Sequence, residues 1–72
     1  MINANLLRGK IVANGYTQAT FAEKIGMSKN TLSAKIIGKS DFTIGQVETM
    51  CQLLGVDTAK EIMAIFFDKQ SQ

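Results

Sequence analysis

The chain of 72 residues contains no histidine and no proline, and it has a single cysteine. Lacking histidine, it lacks the side chain most often used as a general base or metal ligand near neutral pH. The lone Cys51 excludes an internal disulfide, and no cluster of metal-ligating residues accompanies it. There is also no clustered carboxylate pair and no glycine-rich loop of the kind that cradles phosphate. Enzyme chemistry, a cofactor and a small-molecule substrate are therefore not expected. No apolar run reaches about 18 residues, so no membrane helix is expected. The N-terminus lacks the charged-then-apolar layout of a signal peptide. These features point to a cytoplasmic protein with no membrane partner. Cys51 lies among apolar residues and reads as a buried thiol acting as a small hydrophobe.

The length allows one domain over residues 1–72 with a modest core, burying roughly 60% of the surface of its unfolded chain. Net charge is only +2, but it is unevenly placed. Residues 1–39 carry Arg8, Lys10, Lys24, Lys29, Lys35 and Lys39 against Glu23 alone. Residues 40–72 carry Lys60 and Lys69 against Asp41, Glu48, Asp57, Glu61 and Asp68. A basic half of this kind suits a polyanion, because phosphate binding is electrostatic.

The most informative stretch is Gln18–Lys39, which reads as two short helices joined by a tight turn. Gln18, Ala22 and Gly26 are spaced by four. Ala22 is small enough to let a second helix cross closely. Gly26 supplies the positive-φ backbone that ends the first helix, and Ser28 is a good N-cap for the next. Leu32 and Ile36 then give a buried stripe at i and i+4. This is the sequence form of a helix-turn-helix, whose second helix enters the DNA major groove.

The remaining signals place five helices with short loops and an all-α fold. Met1–Ala4 is expected to fray. Asn3 or Asn5 caps a first helix running to about Asn14, with Leu7 and Ile11 toward the core and Asn14-Gly15 as a stop. The ring of Tyr16 packs while its hydroxyl stays wet. Thr17 caps the second helix, to about Ile25, with Phe21, Ala22 and Ile25 inward. The third runs from Lys29 to about Ile37 and stops at Gly38. Thr43 caps a fourth, Ile44–Leu54, whose stripe holds Ile44, Val47, Met50, Cys51 and Leu54. Thr58 or Asp57 caps a fifth, to about Phe67, and Thr58 with Glu61 has capping-box spacing. Residues 68–72 are a polar tail.

At about 100° per residue, Leu32 and Ile36 face one way, while Lys29, Asn30, Ser33, Ala34 and Ile37 fan out on the other side. Lys29 suits guanine O6/N7, Asn30 suits adenine N6/N7, and Ala34 and Ile37 suit thymine methyls; Ser33 suits a base or a phosphate. In the fifth helix, Ile62, Ile65 and Phe66 suffice for one core. Met63 and Phe67 are then surplus, a soft and an aromatic surface suited to a partner. Met63, Phe66, Phe67 and Ile37 are the candidates for protein contact.

The pattern T-Q-x-x-x-A-x-x-x-G-x-S from Thr17 to Ser28, with Leu32 four residues on and Gly38-Lys39 six further, resembles the lambda-repressor/Cro helix-turn-helix family. The small size and the G-K-S-D-F-T segment look like phage Cro-type regulators, and the resemblance runs from about Leu7 to Val56. It implies a lambda-repressor-like fold and binding to double-stranded operator DNA in the transcription control of a lysis/lysogeny switch, in a host bacterial cytoplasm. It further implies that Lys29, Asn30 and Ala34 read bases, that Gln18 meets a phosphate or a base edge, and that Lys39 with Ser40 and the amides after Gly38 holds the phosphate backbone. Many members pair a helix-1 arginine with a glutamate near the end of helix 3. Here those positions look like Ile11 and Ile36, which reads as an apolar replacement that keeps the fold. Lys35 stands where an apolar residue is common and adds a cation for phosphate contact. The family often dimerises through its C-terminal region, so a homodimer on a twofold operator is implied. Its small phage members also include modulators that bind the lysogenic repressor protein itself. Operator binding is the first expectation and such an antirepressor role the alternative.

Overall fold

The computed structural model describes residues 1–68. Five helices follow in order: α1 (Ala4–Ala13), α2 (Gln18–Lys24), α3 (Lys29–Ile36), α4 (Ile44–Leu54) and α5 (Ala59–Phe66). The fold is all-α. Each helix starts on a side-chain oxygen that accepts from a first-turn amide: Asn3, Thr17, Ser28, Thr43 and Thr58. Caps of this kind satisfy backbone donors that the helix itself leaves open, each worth about 1 kcal/mol.

Each helix also puts one side chain wholly out of water. Leu7, Phe21, Leu32, Met50 and Ile65 are all 0% exposed, one from each of the five helices. Ile11 and Ile36, standing where the family resemblance would pair two charges, are buried in the same cluster. Ala22 is buried at the close packing of α2 on α3, as its size requires. The turn between those helices depends on Gly26 at φ +77°. The next amide, Met27 N–H, reaches back to Ala22 O at 3.0 Å. A Cβ at Gly26 would meet nothing within 4 Å, so the need for glycine there is purely one of backbone conformation.

The structure corrects several expectations. The N-terminus is hydrogen-bonded to the end of α5. Asn3 N–H donates to Ile65 O at 2.8 Å, Asp68 N–H donates to Met1 O at 2.9 Å, and Asn3 Nδ2 donates to Asp68 Oδ2 at 3.2 Å. Asn3 therefore caps α1 through one end of its amide and holds the end of α5 through the other. Asp68, expected in the polar tail, is part of this clasp; the rest of that tail, 69–72, lies outside the described residues. Ile25, Ile37 and Phe67 are C-caps, so α2, α3 and α5 each end one residue earlier than expected. Thr58 caps α5, but Glu61 does not return a bond to close a capping box; its carboxylate pairs with Lys10 on α1 instead. Ile44 leaves the α4 stripe and is 81% exposed, because it occupies the first helical position, beyond the reach of the core.

Candidate nucleic-acid interface

Helix α3 divides cleanly. Leu32 and Ile36 anchor it to the core, and Lys29 and Asn30 in its first turn are exposed. Ser33 and Ala34 are half-buried on the following turn, and Ile37 is exposed at the C-cap. The first turn is rigidly held. Ser28 Oγ accepts from Thr31 N–H at 3.0 Å and donates to Thr31 Oγ1 at 2.9 Å. Lys29 and Asn30 thus project from a turn whose backbone is fixed by its neighbours rather than by their own side chains.

Gln18 is the first residue of α2 and is half-buried. The cap beneath it is a true capping box, in which Thr17 N–H donates to Thr20 Oγ1 at 2.9 Å and Thr20 N–H donates to Thr17 Oγ1 at 3.1 Å. Lys39 and Ser40 are exposed beyond Gly38, whose φ of +88° turns the chain away from α3. Lys39 N–H is spent on Ala34 O at 2.9 Å, which leaves its side chain as the polar group on offer.

Lys35 is placed differently. Its ammonium donates to Asp41 O at 2.7 Å and lies 5.9 Å from the centre of the Phe42 ring. The side chain ties α3 to the loop that precedes α4, so its charge is already engaged. The sequence position gave no sign of this, because the partner is a backbone carbonyl.

Among the described residues the one ion pair is Lys10–Glu61. Arg8, Lys24, Lys29 and Lys39 therefore keep unpaired positive charge in the same half of the chain as α2 and α3. Among the described residues, no helix is long and apolar enough to cross a membrane.

The protein-contact candidates separate as well. Met63 and Phe67 are each 51% exposed and Ile37 is 53% exposed. Phe66 is a correction: at 3% exposed it is a core residue, with its ring edge-on to Phe42 at 6.3 Å. One face of α5 packs on α1, and Phe66 lies on that buried side while its neighbour Phe67 does not. Phe42, which the sequence did not single out, and Ile44, expected on the α4 stripe, prove to border an apolar groove beside Phe66.

No curated protein and no solved structure matches the chain significantly. A helix-turn-helix family model matches residues 7–60, which runs from within α1 through α2, α3 and α4 and stops at the start of α5. Members of that family are regulators that bind double-stranded DNA, and the turn at Gly26 between α2 and α3 lies within the matched stretch. The chain belongs to the Cro/C1-type helix-turn-helix family and is a DNA-binding transcription regulator.

Proposed function

We propose that this protein is a Cro-like operator binder in a phage-type lysis/lysogeny switch, acting in a bacterial cytoplasm, with α3 in the major groove. The observation that carries the reading is the division of α3: Leu32 and Ile36 are consumed by the core while Lys29 and Asn30 stand exposed in a capped first turn. Lys29 then bonds a guanine, Asn30 an adenine, and Ala34 with Ile37 lies against thymine methyls; Ser33 takes a base edge or a phosphate. Gln18, Lys39 and Ser40 hold phosphates and so set the register. Lys35 contributes less than its charge suggests, because the Asp41 carbonyl already holds its ammonium.

The deciding experiment measures binding of the purified protein to its own upstream DNA at low and moderate salt, with and without the neighbouring repressor. Sequence-specific binding that weakens steeply with salt supports the reading. Binding indifferent to sequence and to substitution of Asn30 sinks it.

A second reading, as a modulator that binds a partner repressor, is favoured by the exposure of Met63 and Phe67, both beyond the stretch matched to the family. Its mark is altered DNA binding by the repressor on addition of this chain, with no DNA binding by the chain alone.

A further inference from the structure

The segment Ser40, Asp41 and Phe42 leads from the end of α3 to the Thr43 cap of α4 with few bonds of its own. Before it, Lys39 N–H donates to Ala34 O at 2.9 Å, and after it Thr43 N–H donates to Gln46 Oε1 at 2.9 Å. Among the described residues, the amides of Ser40, Asp41 and Phe42 donate to no protein acceptor. The hydrogen bond that holds the segment comes from elsewhere: the Lys35 ammonium donates to Asp41 O at 2.7 Å. The same ammonium lies 5.9 Å from the centre of the Phe42 ring, and that ring meets Phe66 of α5 edge-on at 6.3 Å. Lys35 is half-buried on the last turn of α3.

A stretch without backbone bonds samples many conformations, and fixing each residue costs free energy. If Lys39 and Ser40 are to meet phosphates, that cost falls either at the moment of binding or before it. Lys35 places it before. It joins the segment, at Asp41 and Phe42, to the helix that carries Lys29 and Asn30. The start of the loop is fixed by backbone, through Gly38 at φ +88° and the Lys39 amide. The two lysines therefore differ in kind. The Lys39 side chain is exposed and, among the described residues, has no ion-pair or hydrogen-bond partner, whereas the Lys35 ammonium is already coordinated.

We propose that Lys35 is a positioning residue for DNA contact. It holds residues 39–42 at a fixed distance from α3, so that Lys39 and Ser40 meet the phosphate backbone while the first turn of α3 reaches the bases. It touches no DNA itself. The inference rests on the operator-binding reading, in which Lys39 and Ser40 hold phosphates. The charge of Lys35 then matters for the bond it makes and not for general attraction to DNA. The two effects are separable: a lost tether lowers affinity equally at every salt concentration, whereas a lost phosphate contact also lowers the slope of log affinity on log salt.

The test titrates a fluorescein-labelled duplex of the chain's own upstream DNA with the full chain, by fluorescence anisotropy over a range of salt. Lys35→Met keeps an apolar stem and drops the ammonium. It should weaken binding by about fivefold at each salt concentration and leave the slope unchanged. Lys35→Arg can donate to the same carbonyl and should bind as the wild type does. In a Lys39→Ala background, Lys35→Met should weaken binding by less than about twofold, because Ser40 alone is left for the loop to place. In the free protein, NMR order parameters of the Ser40 and Asp41 amides should fall in Lys35→Met. Unchanged affinity in Lys35→Met, an equal loss in both backgrounds, or a slope that drops as it does for Lys39→Ala would overturn the proposal and leave operator binding standing. A Lys39→Ala variant that binds like the wild type would remove the loop from the DNA contacts, and the role of Lys35 with it. A wild type that binds no DNA would overturn the operator reading and the positioning role together.

Discussion

Helices α3 and α5 are each eight residues long, yet they use their apolar residues differently. Within α3 the two large apolar residues, Leu32 and Ile36, are both buried, Ile37 at its cap is exposed, and the outer face is left to lysine, asparagine and serine. In α5 the core takes Ile65 and Phe66 and half-buries Ile62, yet Met63 remains half-exposed, as does Phe67 at the cap. The difference is one of surplus. A helix packed on one core has room for a stripe somewhat over 100° wide. The α3 sequence fits within that stripe, so its outer face is free for polar recognition, whereas the α5 sequence overruns it. The family match ends just inside α5, so the overrun lies beyond the matched stretch.

The largest effect sets a phenylalanine that the core consumes, Phe21 of α2, against the surplus one that ends α5. Phe21, wholly buried, should lose about 3–5 kcal/mol on replacement by alanine, through lost transfer energy and the cavity left behind. A domain stable by only about 5–15 kcal/mol would be brought close to unfolding. Phe67→Ala should cost less than about 1 kcal/mol, because a half-exposed ring at a C-cap leaves little void. Urea denaturation of both variants measures the contrast. Equal losses would mean that Phe67 belongs to the core and that α5 has no surplus.

A second contrast lies between two lysines four residues apart. With operator DNA, Asn30→Ala should weaken binding by about 1–3 kcal/mol and relax preference at one base. Lys39→Ala should weaken binding to all sequences alike and reduce the slope of log affinity on log salt by about 1. Lys35→Ala should leave that slope nearly unchanged and instead lower stability by about 1 kcal/mol, since the side chain secures the loop to α4. A salt slope that falls as much for Lys35 as for Lys39 would return Lys35 to the phosphate contacts.

What the sequence disclosed about these regions follows from the range over which each interaction acts. Caps and stops depend on residues within one turn, so Thr17, Ser28, Thr43 and Gly26 could be read directly. Leu7, Phe21, Leu32 and Met50 follow from helical spacing, and the basic face of α3 follows from the same wheel. Three features were not legible because each depends on residues distant in sequence. Lys35 is engaged by a carbonyl six residues on, Glu61 is drawn from its own helix start to Lys10, and Asn3 is joined to Asp68. The α4 stripe is legible as a direction, but spacing does not give depth. Met50 and Leu54 take the core, while Val47 and Ile44 open into the groove.

The clasp at the chain start offers a smaller effect that divides two roles of one side chain. Asn3→Ala removes both the α1 cap and the bond to Asp68, and should cost about 1–2 kcal/mol. Asn3→Asp keeps a capping oxygen but sets a carboxylate against Asp68. It should cost less than the alanine variant, and its loss should shrink as added salt screens the repulsion. If both variants match the wild type in thermal denaturation, the Asn3 side chain adds nothing, and α5 is held by packing, the Lys10–Glu61 pair and the backbone bonds of the clasp.

The smallest effect concerns Cys51, on the side of the molecule where the groove opens. Burial pushes its thiol above the ordinary value near 9, and the negative charge of Glu61 pushes it the same way. The neutral thiol is thus favoured in the folded state relative to the unfolded one. Its contribution to stability is complete below the unfolded thiol's value and is lost as pH rises through and beyond it. The stability of the wild type should therefore fall faster above about pH 9 than that of Cys51→Ala, which titrates the same lysines and tyrosine but no thiol. Urea denaturation at matched pH values reads the difference between the two slopes and cancels what the proteins share. Parallel curves would show that the thiol ionises as freely in the folded chain as in the unfolded one.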